Sequence, residues 1–384
     1  MAQVPENSRD IEKWLKLIRA DEVGPVTFAR LLKYFGSVDA ALGASVAGLT
    51  KVEGIGSVTA ERIVASRDKF DTAAELELAA KSGVWLLHIE DLRYPPVLKQ
   101  IYDPPPVLYV KGTLCREDNL AVAIVGSRRC SLYGQEQASR LAHLLAATGF
   151  TVVSGMARGI DTAAHTGALA AEGRTIAVQG CGLSRIFPPE NEKLFELISA
   201  CGACVCELPM QAEPLAEHFP PRNRIIAGLS LATIVVEAGL RSGAMITAKT
   251  ALDSNREVMA VPGKVDSPLS QGPHSLIKQG AKLVESVEDV MEALGYVGEQ
   301  LKEHTAAAAK EATEKVEAPL FDTARFNLRG EEKTVYELLN KEPIHVDQII
   351  ADTNLPAGVV NASLVSLRLK GLIKQLPGNL FVRR

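Results

Sequence analysis

The sequence predicts a doubly wound α/β protein that carries an N-terminal helical domain and a C-terminal winged helix. Two patterns lead to this reading. Between residues 76 and 297, short continuous apolar runs (VWLLHI, LAVAIVG, TVVS, TIAVQ, CVCE, LATIVV, EVMAV) alternate with helical patterns such as GQEQASRLAHLLAATG and AMITAKTALDSN. Strands that are apolar throughout belong to parallel sheets covered by helices on both faces. On either side of this region the strand–helix alternation stops and runs of helical periodicity replace it.

Residues 1–75 read as short helices broken by glycine: RDIEKWLKLIRA, TFARLLKYFG, SVDAAL and finally KVEGIGSVTAERIVAS. In the last of these, Val52, Gly54, Ile55, Gly56, Ala60 and Ile63 have the spacing of a helix-hairpin-helix within a SAM-like domain. The glycines permit a tight turn, and the helix that follows opens with free N–H groups able to hold a phosphate. Val23-Gly24-Pro25, leading into FARLLKYF, reads as a degraded copy. Glu53 and Glu61 would repel a phosphate here, which favours a packing or protein-contact role. At the other end, residues 298–325 are rich in Ala, Glu and Lys and read as a linker. Residues 326–384 then give three helices (EEKTVYELLN, VDQIIADTN, PAGVVNASLVSLRLKG) and a strand pair about Pro377-Gly378, the pattern of a winged helix. Its third helix carries only Arg368 and Lys370, near the C-terminal end, so protein contact is as well supported as DNA reading.

Composition bounds the function. With 47% apolar and 23% charged residues over 384 positions, the chain is of ordinary globular type. The start, MAQVPENSRDIEKW, lacks an apolar signal segment, and no apolar run reaches the roughly 18 residues of a membrane span. A cytoplasmic location and no membrane partner are expected. The net charge of −4 offers no general attraction for nucleic acid, so any such binding must come from a local patch. Six cysteines are too few for a disulfide framework. Cys201, Cys204 and Cys206 lie on a strand pattern, with no second CxxC or His pair to complete a zinc site. GxxxxGK[ST] and GxGxxG are both absent, and no cofactor is expected.

The chemistry should lie beyond the carboxyl ends of the parallel strands, where strand order reverses. Four glycine-rich turns follow strands and so gather on that rim: Gly126-Ser127-Arg128, Gly155 through Arg158, Gly159 and Asp161, Gly180-Cys181-Gly182, and Ser242-Gly243-Ala244. Glycines let a phosphate approach the backbone, the next helix offers N–H donors, and Arg128 and Arg158 supply charge. Phe219-Pro220-Pro221-Arg222-Asn223-Arg224 adds two arginines, an amide and an aromatic, the means of gripping a polynucleotide backbone and stacking on a base. Pairing of these arginines with Glu213 or Glu217 is the competing reading. Asp161 is expected to brace its loop rather than act as a base, and His165 to be packed rather than catalytic.

At these residues the sequence resembles the DprA/Smf family of DNA-processing proteins. The resemblance runs in order through GSR (126–128), SGMARGID (154–161) with AAHTGAL, FPPRNRIIAGLS (219–230), VVEAGLRSGAMITAKTA (235–251), and VPG (261–263) with QGPHSLIKQGA. It implies an extended Rossmann-like domain that binds single-stranded DNA in a basic pocket and forms a homodimer, without catalysis. It further implies protection of incoming strands in natural transformation and loading of a RecA-type recombinase, with single-strand-binding protein as another candidate partner. By motif, Gly126, Ser127, Arg128, Gly155, Arg158, Gly159 and Asp161 should line the DNA site. Arg222, Asn223 and Arg224 should add charge, Phe219 a stacking face, and Arg241, Ser242, Gly243 and Lys249 the remaining rim. The alternative is a nucleotide-hydrolysing enzyme of the phosphoribohydrolase type with Glu237 as nucleophile, though EAGLRSGAMITA lacks that group's PGGxGTxxE pattern. A third reading is a duplex-binding regulator whose α/β domain senses a nucleotide.

Overall fold

The computed structural model describes residues 8–295 and 330–383, apart from 341–342, 354, 370–371 and 377–379. The expected linker at 298–325, Lys370 and the Pro377-Gly378 turn lie outside the described residues. The chain divides into two compact units, one on each side of residues 313 and 314.

The first unit opens with six helices: α1 (Ser8–Ile18), α2 (Pro25–Phe35), α3 (Val38–Gly43), α4 (Val46–Leu49), α5 (Ser57–Ser66) and α6 (Thr72–Lys81). Both α2 and α5 start after an extended glycine, Gly24 and Gly56, that makes no side-chain cap. Helix α6 runs across residue 75, where the sequence places its first boundary. The reason is packing. Trp14, Leu15, Phe28 and Leu31 of the helical region share one buried cluster with Tyr109, Phe195, Cys204 and Met210 of the α/β region.

Nine strands follow in one sheet: β1 (Val84–His88), β2 (Val107–Gly112), β3 (Ala121–Val125), β4 (Thr151–Ser154), β5 (Thr175–Val178), β6 (Ala203–Cys206), β7 (Ala232–Val235), β8 (Glu257–Ala260) and β9 (Lys282–Leu283). Their order is β1-β2-β6-β5-β4-β3-β7-β8-β9. From β6 to β9 every pairing is parallel, as the apolar runs predict. The first two strands depart from that pattern, since β2 pairs antiparallel with both β1 and β6. The run VWLLHI is thus a strand of an antiparallel extension, and β2 was not foreseen behind its Pro104-Pro105-Pro106 leader.

Helices α7 (Leu132–Ala147), α8 (Ile160–Ala170), α9 (Glu192–Cys201), α10 (Phe219–Gly228), α11 (Gly243–Asp253), α12 (Gln271–Lys278) and α13 (Val287–Ala293) connect the strands. Two further apolar clusters of the unit carry strand side chains from opposite faces of the sheet. Ala123 and Val125 join Ile225 and Ala248, while Val122 and Ile124 join Leu141 and Ala164. Alternation along a strand sends neighbours to opposite sides, so both faces are buried and the layers are helix, sheet, helix. From β3 the chain winds one way through β4, β5 and β6, then returns beside β3 as β7 and winds the other way. The strand order therefore reverses between β3 and β7.

The second unit holds α14 (Glu331–Leu338), β10 (Ile344–His345), α15 (Val346–Thr353), α16 (Ala357–Leu369), β11 (Ile373–Leu376) and β12 (Leu380–Arg383). Its antiparallel sheet runs β10-β12-β11, and Val335, Ile349, Leu364, Leu367 and Phe381 fill its core. This is a winged helix, with the short strand β10 added to the predicted pattern. Among the described residues no helix is long and apolar enough to cross a membrane.

Candidate nucleic-acid interface

A cavity of about 620 Å³ opens at the carboxyl ends of β3 and β7, where strand order reverses. Its lining includes Val125, Gly126, Ser127 and Arg128 after β3, and Ala157 and Asp161 at the start of α8. Phe219, Pro220, Arg222, Asn223 and Ile226 come from α10, and Ser242, Gly243, Ala244, Ile246 and Thr247 from α11. Phe187, Pro214 and Ala216 complete the wall.

The loops that shape it are tied at the switch point. The Ser127 N–H donates to the Glu237 backbone carbonyl at 2.6 Å, joining the loops after β3 and β7. The Glu237 side chain is buried and accepts from the Ser131 N–H at 2.7 Å and the Ser131 hydroxyl at 2.6 Å. Both of its oxygens are thereby occupied, and Glu237 does not line the cavity. A nucleophile needs a free carboxylate facing substrate, so this placement counts against Glu237 in that role.

The second turn is held by close approach. A Cβ on Gly155 would meet the Arg222 guanidinium at 2.7–2.8 Å, so only glycine lets that side chain lie against the strand end. Gly159 has φ +77°, and a side chain there would strike the Ser127 carbonyl. Met156 between them also has positive φ, 62°, and its carbonyl accepts from Asn191 Nδ2 at 2.9 Å. A non-glycine residue held in that region marks a loop whose shape is over-determined by its surroundings. Asp161 closes the loop, its carboxylate accepting the Ala157 N–H at 3.2 Å, which is the brace expected of it. Burial pushes the Asp161 carboxyl up, against the opposing charge of Arg222. His165 is fully buried, with Nδ1 2.7 Å from Thr175 Oγ1, and burial pulls its pKa down to about 3.

The arginines separate into two kinds. Arg128 is exposed, and its guanidinium lies 5.0 Å from the centre of the Phe219 ring at the rim of the cavity. No carboxylate pairs with it within 4.0 Å among the described residues. Arg158 is also exposed, but it pairs with Glu190 and stands beside the cavity rather than in its lining.

Arg222 and Arg224 correct the expectation that the FPPRNR stretch supplies free charge. These residues form the first turns of α10 instead of preceding it, and only 5% of Arg222 and 8% of Arg224 is exposed. Arg222 Nη1 donates to the carbonyls of Gly155 (2.6 Å) and Val178, so this side chain ties the ends of β4 and β5 together under the cavity. Burial pulls its pKa down to about 10, with Asp161 opposing and Arg128 adding to the fall. Arg224 points away from the cavity and pairs with Glu207 and, at 3.2 Å, with Asp103. Neither Glu213 nor Glu217 is its partner. Asn223 lines the cavity and its Nδ2 donates to the Gly243 carbonyl at 3.4 Å. Arg241 and Lys249 are exposed and lie outside the lining, whereas Ser242 and Gly243 are in it.

Phe187 was missed. Its ring centre lies 5.8 Å from that of Phe219, and the two make an aromatic wall. A signal was present, because Phe187-Pro188-Pro189 repeats the Phe219-Pro220-Pro221 tripeptide.

Comparison with known proteins identifies the family. The family model for DNA recombination-mediator protein A matches residues 85–295, the DprA winged helix domain 305–379, and the DprA-like N-terminal HHH domain 8–65. The chain is 36% identical to Protein Smf of Synechocystis over 97% of its own length and 98% of that protein. It is similar to the X-ray structure of DNA processing protein A from Streptococcus pneumoniae (TM-score 0.63, 36% identity, 73% of this chain and 97% of that one). It is also similar to a structure of DNA processing protein A from Helicobacter pylori that concerns the single-stranded DNA binding mode of that protein (TM-score 0.50, 30% identity, 56% of this chain and 97% of that one). A doubly wound sheet with a loop-tied cavity at its switch point, a helix-hairpin-helix region before it and a winged helix after it, matched by family models over each part, place this chain in the DprA/Smf family of DNA-processing proteins.

Proposed function

We propose that this chain is a single-stranded DNA-binding recombination mediator that protects incoming strands and loads a RecA-type recombinase onto them in natural transformation. The observation that carries the reading is Arg128, an exposed guanidinium without a carboxylate partner among the described residues, set over the Phe219 ring at the rim of the switch-point cavity. A cation and an aromatic face side by side are what a flexible polynucleotide uses: the cation meets the phosphate and the ring stacks on a base. The relative from Helicobacter pylori binds single-stranded DNA, which supports the same ligand here.

The action is binding without bond-making. Arg128 neutralises phosphate and releases counterions, with Ser127 and the first turn of α11 as neutral donors. Stacking and backbone contacts do not read base edges, so sequence preference is slight. A homodimer presents two such cavities and can bridge two strands. Fluorescence-anisotropy titration of labelled single-stranded and duplex oligonucleotides at low and moderate salt tests the proposal. Tight, salt-sensitive binding with preference for the single strand is expected. Equal affinity for both forms at either salt would refute it.

A further inference from the structure

We infer that the switch-point cavity is a receptor for one nucleotide ending in a phosphate monoester, supplied by the 5′ end of a strand or by a free deoxynucleoside monophosphate. The strand-end source rests on the single-stranded DNA reading above, and the free-nucleotide source stands without it.

Shape is the first observation. The floor of the cavity is made of buried residues (Val125, Asp161, Arg222, Ile226), while Arg128 and Ile246 at its rim are exposed. A volume of about 620 Å³ is that of a small-molecule site, typically ~300–1,000 Å³. A cavity of this size holds a nucleotide or two.

Donor supply is the second. Helix α11, of 11 residues, begins at Ser242, whose side chain makes no capping bond although serine at this position ordinarily caps. Its Oγ is buried in the wall with no hydrogen-bond partner among the described residues. The Met245 N–H donates to the Ser242 carbonyl at 3.1 Å, and the Gly243 and Ala244 N–H groups are left uncapped at the same point. Arg222 adds a buried guanidinium whose bonds run through Nη1 and Nε, leaving Nη2 without an acceptor among the described residues. A diester inside a strand offers two unshared oxygens and one negative charge. A monoester offers three oxygens and roughly −1.5 to −2 charge, the better match to this many donors. Asp161 is the opposing acidic group in the lining, and its carboxylate already accepts the Ala157 N–H. The Phe187–Phe219 wall gives a base its face, which selects a nucleotide over inorganic phosphate.

The test uses the full chain and 3′-labelled oligothymidylates, one with a 5′-phosphate and one with a 5′-hydroxyl but a nucleotide longer to balance charge. Thymidine 5′-monophosphate (dTMP) and thymidine serve as competitors in anisotropy and as additives in thermal unfolding. The 5′-phosphate oligomer should bind about tenfold tighter or more, the worth of one hydrogen bond to a charged group. dTMP should displace label and raise Tm where thymidine does neither. Ser242→Ala should bring the ratio of the two oligomers towards one while its Tm without ligand stays near that of the parent. Preference for the 5′-phosphate without an effect of dTMP assigns the strand end as the source, and the converse assigns the free nucleotide. Equal binding of the two oligomers together with no effect of dTMP overturns the inference, and a ratio unmoved in Ser242→Ala overturns its placement at α11. Should neither oligomer bind while dTMP raises Tm, the single-stranded DNA reading falls and the nucleotide receptor stands.

Discussion

Arg128 and Arg224 stand in equally persuasive motifs, yet the fold gives them opposite work. Arg128 leaves the sheet on the loop after β3, stays exposed, and offers its guanidinium to whatever occupies the cavity. Arg224 lies in the second turn of α10, 8% exposed, closed between Glu207 and Asp103. A charge in water remains available to a ligand, whereas a charge removed from water must be paired inside the protein and becomes part of its frame. Basic residues near a binding site are therefore not interchangeable votes for nucleic acid.

Substitution should separate the two most sharply at Arg224. Arg224→Ala leaves the half-buried Glu207 carboxylate, already pushed up by burial, without its main counter-charge. A loss of about 3–5 kcal/mol in urea-unfolding stability is expected, as for other buried pairs cut on one side. An unchanged unfolding midpoint would show that Arg224 is not a structural residue.

Arg128→Ala should do the reverse. Unfolding should be unaffected, while single-strand affinity falls by ~1–3 kcal/mol and the log–log salt slope shrinks by nearly one. Intact affinity would remove the cavity from the DNA path.

A third test, seen only as pH falls, extends the comparison to another buried group. His165 is fully buried on α8, with a folded pKa of about 3 against an ordinary 6.5. Because the folded value is depressed, the stability it contributes is complete above 6.5 and is lost as pH falls towards 3. One proton taken up on unfolding gives a slope of about 1.4 kcal/mol per pH unit in that window. His165→Gln should flatten this part of the stability–pH curve. If parent and variant keep the same slope below pH 6.5, His165 is not held neutral by the fold.

Much of this was legible because local pattern and tertiary role coincide. Apolar runs marked six of the seven parallel strands, β3 to β8, and turns after strands put Gly126, Ser127, Arg128 and Ser242 on one rim, since every parallel strand ends on the same edge. The fate of Arg224 was not legible. Its partner Asp103 is far away in sequence, and Glu207 stands beside β6 rather than in the acidic stretch at 213–217. Pairing across a fold leaves no periodic trace. Strand β2 escaped for a different reason: VLYVKG follows three prolines that read as loop, and its antiparallel partners β1 and β6 lie outside any βαβ rhythm. Phe187 was hidden as an isolated aromatic until the turn before α9 brought it to Phe219.

The cluster that joins Trp14 and Phe28 to Tyr109 and Phe195 also bears on how far apart two DNA contacts can lie. Arg19, just past α1, donates to the Glu207 carbonyl at 2.6 Å, so the helical region is bolted to the end of β6. The N-termini of α2 and α5 consequently sit at a set distance from Arg128 and cannot swing as an arm. A strand gripped at both places would be measured as by a ruler. Affinity plotted against oligonucleotide length would then rise in a step once the strand reaches the second contact, and a tethered, freely moving domain would give a gradual slope instead.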